Sequence, residues 1–210
     1  MAADDLWRTI HAERAALATD LESLTEDQWR TPSLCAPWTV QQVLAHMTAT
    51  ATMTPPKFLL KMAAAGFRFN AMSEREVATG TTGGPAQTLA DFRAHRDDTT
   101  APPGPVDTWL GETIVHAEDI RRPLGIRHDY PVEALARIAN FYKGSNLLIG
   151  GKRRIDGLHL TATDTAWSTG AGPDVRGPLL ALVLAMTGRK AGLAELSGEG
   201  VATLAARMKS

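Results

Sequence analysis

A single cysteine, Cys35, in a chain of 210 residues excludes an internal disulfide and any cysteine-rich zinc site. Any metal must therefore rest on histidine and carboxylate. Charge of one sign is missing too: 22 Lys and Arg stand against 23 Asp and Glu, and the densest basic spots are Arg121-Arg122 and Lys152-Arg153-Arg154. Without a concentrated basic face, nucleic acid is not an expected partner. The longest apolar run, Leu179 to Met186, is far short of the ~20 residues a membrane span needs. The first residues, Met-Ala-Ala-Asp-Asp, lack the basic-then-apolar layout of an export signal, which points to the cytoplasm.

What is present is helical periodicity. Leu6, Ile10, Leu17, Leu21 and Leu24 form one apolar stripe, predicting a helix from Asp4 or Asp5 to about Leu24, with His11 just off the stripe. Thr25-Glu-Asp-Gln28 and Thr39-Val-Gln-Gln42 have the form of capping boxes. The second opens a helix with Val40, Val43, Leu44 and Met47 inward and His46 on the flank, a position that suits a ligand or an exposed histidine equally. Cys35, near that helix start, reads as a buried small apolar residue. After Pro55-Pro56 a helix over 57–69 is expected, with Phe58, Leu59 and Met62 inward. Residues 80–84 read as a flexible loop, Pro85 as the start of a helix carrying Leu89 and Phe92, and His95 as solvated. Residues 101–105 form a stiff connector.

The helix that follows, capped by Asp107 or Thr108, carries the most chemistry. Trp109, Leu110, Thr113, Ile114, Ala117 and Ile120 face inward at about 100° per residue. His116 lies within that face, Glu112 and Asp119 at its edge, and Val115 and Glu118 are expected to point away. Glu112 and His116, one turn apart, are either a pair of metal ligands or a solvated helix edge, with His46 as the candidate third ligand. An ionised carboxylate beside a buried face is costly unless paired or bound to a cation, which favours the metal. Pro123 ends the helix, and His128 reads as a loop or cap residue.

Pro131 opens another helix, with Val132, Leu135, Ile138 and Tyr142 inward, and the glycine-rich stretch 144–151 closes the helical domain, placed at 1–150. The remainder, 151–210, reads as a small α/β domain. Strands are expected at 158–162 and 165–168 about a Thr163-Asp164 turn, with His159 facing solvent. A turn cluster at 170–174 and helices at 178–187 and 200–208 complete it.

Trp29, the run Pro32-Ser-Leu-Cys35-Ala-Pro-Trp38-Thr-Val, Val43-Leu-Ala-His46, and Glu112-x-x-x-His116-Ala-x-Asp119-Ile-Arg-Arg-Pro-Leu-Gly125 together resemble the actinobacterial mycothiol-dependent maleylpyruvate isomerase family. The tail resembles the small C-terminal domain of those proteins through Asp164-x-x-Trp167, Gly172-Pro-Asp-Val-Arg176-Gly-Pro178, Thr187-Gly-Arg189 and Leu196-Ser-Gly198-Glu-Gly200. The resemblance implies an α+β protein: an N-terminal DinB-like four-helix bundle with a small C-terminal α/β domain. It implies a divalent ion, usually zinc, on His46, Glu112 and His116, with Asp119 outside the ligand set as an orienting group. It further implies mycothiol as co-substrate and a metal-bound thiolate that attacks small electrophiles, by isomerisation or S-transfer. Three protein ligands leave a fourth position open, as in catalytic zinc sites. Arg176 and Arg189 are candidates to bind a carboxylate of substrate or thiol, or are surface ion pairs. The alternative is a non-catalytic metal- or ligand-binding stress-response module on the same bundle. An apolar bundle surface is compatible with a homodimer.

Overall fold

In the computed structural model of the chain, residues 2–146 and 149–208 are described. The chain divides into two compact units, one ending at His128 and the other starting at Asp129. The boundary expected at 150 places the helix after Pro131 in the first domain. That helix packs instead on helices of the second unit.

Among the described residues the first unit holds seven helices: α1 (Ala3–Asp20), α2 (Glu26–Trp29), α3 (Val40–Ala51), α4 (Pro55–Ala64), α5 (Phe69–Gly80), α6 (Gly84–His95) and α7 (Val106–Arg121). Four of them close a bundle. Helix α1 packs on α7, α7 on α3, α3 on α6 and α6 back on α1. Leu17 and Leu21 near the end of α1, Val43, Leu44 and Met47 of α3, Leu89 and Phe92 of α6, and Ala117 and Ile120 of α7 meet in one core. The capping box predicted at Thr39 is formed. The Thr39 hydroxyl accepts from the Gln42 N–H, and the Gln42 side chain accepts from the Thr39 N–H at 2.9 Å. This fixes where α3 starts, and so which way His46 faces.

Several local expectations are corrected. The helix predicted over 57–69 stops at Ala64. Gly66 and Phe67 then turn through positive φ (61° and 59°), and α5 starts at Phe69. Helix α4 packs on α5 and buries none of its residues, so Leu59, expected inward, is 62 % exposed. The expected loop over 80–84 shrinks to the short link between α5 and α6, where Gly80 closes against α3. A Cβ there would lie 3.0 Å from the Ala45 Cβ. Helix α7 begins at Val106 with Pro105 before it, earlier than the expected cap at Asp107 or Thr108. Val115 and Glu118 do not point to solvent: both are buried, because α7 is covered by α1 and α3 on different sides. Glu118 accepts from Arg122 Nε at 2.8 Å.

The second unit has α8 (Val132–Gly144), α9 (Gly151–Ile155), three short strands β1 (His159–Ala162), β2 (Ser168–Gly170) and β3 (Asp174–Gly177), then α10 (Leu179–Met186) and α11 (Val201–Ala206). Of the glycine-rich stretch 144–151, residues 147 and 148 lie outside the described residues. The sheet order is β2-β1-β3, with β1 antiparallel to β2 and parallel to β3. The second strand lies later than the predicted 165–168. The predicted turn cluster at 170–174 is the β2–β3 link, and Gly170 is required there: its φ is 80°, and a Cβ would lie 2.1 Å from the Leu158 carbonyl oxygen. His159 is partly exposed, as its strand position implies. Helix α10, buried at Leu179 and from Ala181 to Met186, packs on α8 and forms this unit's core with Tyr142. Among the described residues no helix is long and apolar enough to cross a membrane.

Replacing Thr39 by alanine removes the α3 cap and is expected to cost about 1 kcal/mol of stability by urea unfolding. An unchanged midpoint would show that α3 does not depend on this cap.

Candidate metal centre

The inner faces of α3 and α7 bring His46, Glu112 and His116 together. Their potential ligand atoms lie within 4.8 Å of one another. The two imidazoles stand edge to face, with ring centroids 5.0 Å apart and planes at 81°. Trp38, just ahead of α3, lies against the His46 ring at 4.9 Å and 40°, which restricts its rotation. The flank position of His46 thus resolves to the α3–α7 contact.

Glu112 decides what the cluster fits. Both of its carboxylate oxygens are shut off from solvent and have no hydrogen-bond donor. Burial pushes this carboxyl above its usual range, opposed by the charges of His116 and Arg14 and, last, by the nearby Thr50 hydroxyl, which makes no hydrogen bond of normal geometry to it. An enclosed carboxylate without donors costs several kcal/mol unless a cation compensates it. Two imidazoles and a carboxylate are a donor set that zinc and similar divalent ions accept.

His116 is oriented by its neighbours. Its Nδ1 is 2.8 Å from Asp119 Oδ2, and Asp119 is fully buried. With Nδ1 engaged, Nε2 is the nitrogen left for a metal, the arrangement seen when a carboxylate fixes a ligating histidine. Asp119 is therefore drawn into the interior rather than sitting at a helix edge. Burial pushes the His116 pKa down, but hydrogen bonds to Asp119 and Cys35 and the charges of Asp119 and Glu112 prevail, raising it to about 10. Cys35 is a correction as well: it is half-buried and belongs to a second cluster, with His116 and Asp119. The segment carrying it is tied to α7 by the Leu34 N–H, which donates to the Asp119 carbonyl at 3.1 Å.

Two charged neighbours escaped the sequence reading. Glu13 and Arg14 of α1 are buried. Glu13 lies 2.7 Å from His128 Nε2, and Arg14 faces Glu112 electrostatically. A sign was present in the sequence, because Arg14 lies four residues after Ile10 and three before Leu17, on the inward stripe. Arg176 and Arg189 both belong to the second unit. Arg176 is 55 % exposed and paired with Asp174 at 3.0 Å, a surface ion pair beside a glycine-rich turn. Arg189 donates to the Thr187 carbonyl at 3.2 Å.

A DinB-like helical bundle with a small C-terminal domain, carrying two histidines and a buried carboxylate on facing helices, is the class this fold and cluster define. Residues 10–108 match the family model described as the mycothiol maleylpyruvate isomerase N-terminal domain, the family that the sequence motifs resemble. The match includes Cys35, Trp38 and His46 and ends before Glu112. Two crystal structures share the fold: one of the mycothiol-dependent maleylpyruvate isomerase, and one of a histidine-to-alanine variant of that enzyme. Each has a TM-score of 0.63 and 17 % sequence identity, over 95 % of this chain and 93 % of that one. No curated protein matches the chain.

The raised pKa of His116 sets a pH dependence for the metal-free protein. The folded state holds this proton more tightly than the unfolded chain, whose histidine titrates near 6.5. The resulting stabilisation is fully present below about pH 6.5 and is lost as pH rises through about 10. The melting temperature of chelator-treated protein is expected to fall over that window, and Asp119→Asn to flatten the fall. An identical slope in the variant would remove Asp119 as the cause.

Proposed function

We propose that the chain is a divalent-metal- and thiol-dependent enzyme of the maleylpyruvate isomerase type, with His46, Glu112 and His116 holding the ion. The observation that carries this reading is the enclosed, donor-free carboxylate of Glu112 beside two imidazoles. A divalent ion, zinc by the chemistry of this donor set, would supply the Lewis acidity that makes a thiol ionise at neutral pH.

The protein's own residues do the rest. Asp119 holds His116 Nδ1 and leaves Nε2 as the nitrogen for the ion. Trp38 limits the His46 ring. In the isomerisation a thiol sulfur adds to one carbon of a conjugated double bond. The bond between the two carbons becomes single and rotates, and elimination then restores the double bond and releases the thiol unchanged. In an S-transfer the sulfur instead displaces a leaving group and the thiol is consumed. The likeness to the mycothiol-dependent enzyme favours mycothiol as the thiol and maleylpyruvate as the first acceptor to try. This proposal rests on bundle residues alone and gives Arg176 and Arg189 no step. A structural ion closed by Asp119 as fourth ligand is disfavoured, since that carboxylate is committed to the far nitrogen of His116.

Purified protein is expected to carry about one divalent ion per chain by elemental analysis, and His116→Ala to carry none. Wild type should isomerise maleylpyruvate only with mycothiol present, and chelation should abolish the reaction. Protein without metal, whose melting temperature does not rise on adding zinc or nickel, would end this reading.

A further inference from the structure

Arg14 is the buried charge that the fold satisfies least. It lies on α1 with 1 % exposure. Of its three guanidinium nitrogens only Nη1 has a partner, the Asp98 carbonyl at 3.2 Å, whereas Nε and Nη2 have none. Glu112 on the facing helix α7 is in the complementary condition, with two enclosed oxygens and no donor. The charges attract through space, and Asp97 and Asp98 add to the field on Arg14, but Arg14 and Glu112 share no hydrogen bond.

A guanidinium carries only donors and never ligates a metal, so Arg14 acts on the cluster through its charge. Either group would be expensive to bury alone. Placed on α1, which packs against α7, Arg14 offsets the charge of the Glu112 carboxylate. We propose that Arg14 is a positioning residue for Glu112, balancing and orienting its carboxylate toward the metal held with His46 and His116. This rests on the metal reading above. Glu13, next along α1, is occupied by His128 and does not compete for the role.

The test is the zinc dissociation constant of the full-length chain, measured by competition with a chromogenic chelator, together with the visible absorption of the cobalt-substituted protein. Arg14→Met is expected to weaken zinc binding by about 10–100-fold and to alter the cobalt spectrum, as loss of a ligand-orienting partner does elsewhere. Arg14→Lys, which keeps the charge, should recover most of the loss. The metal-free melting temperature, read in parallel, separates a purely structural role, which would shift it and leave zinc affinity alone. Should Arg14→Met fail to fold, Arg14→Gln carries the same expectation. A neutral variant that binds zinc as tightly as wild type with the same cobalt spectrum overturns the proposal, whereas a wild type that binds no zinc overturns the metal reading beneath it.

Discussion

The structure depends on one electrostatic constraint: a carboxylate, Glu112, enclosed in the bundle with no hydrogen-bond donor. Water would stabilise that charge far better than a protein interior, so the surroundings must return most of the difference. They do so with cations rather than donors. His116 follows one turn later on the same helix, and Arg14 faces it from α1. Glu112 is thus offset by two cationic groups without a direct hydrogen bond to either.

The same helix explains why the site is rigid. α7 is the most enclosed element of its unit, buried at nearly every position from Trp109 to Arg121. Asp119 connects two levels of this order. Its carboxylate engages His116, while its backbone carbonyl accepts the Leu34 N–H. The segment that delivers Cys35 and Trp38 to the site is thereby fastened to the helix bearing two of the three candidate ligands. The Thr39 cap then starts α3 directly after that segment and carries His46 to its place.

The sequence made the helices legible wherever apolar spacing and capping residues agreed, as at Thr39 with Val40, Val43 and Leu44. Spacing alone left a solvated helix edge open for Glu112 and His116, and it was the flanking motifs that joined them with His46, three residues the fold brings together. What escaped was anything decided by tertiary neighbours. Val115 and Glu118 sit on the outer face by angle alone, yet a helix covered on two sides has no outer face. Leu59 has an apolar partner pattern but belongs to a helix that packs along α5 and buries none of its residues. Arg14 falls on the inward stripe of α1, but the buried carboxylate that balances its charge lies about a hundred residues away, where local pattern does not reach. The domain boundary followed the glycine-rich stretch, while packing assigned α8 to the helices after it.

The central claim is that three side chains from α3 and α7 hold one ion and that Asp119 stands behind His116. A crystal structure of the zinc-loaded protein with anomalous data at the zinc edge tests it most directly. The ion should lie about 2.0–2.2 Å from His46, a Glu112 oxygen and His116 Nε2, with Asp119 still on Nδ1. An ion seated on Cys35 and Asp119, or anywhere away from Glu112, would contradict the account.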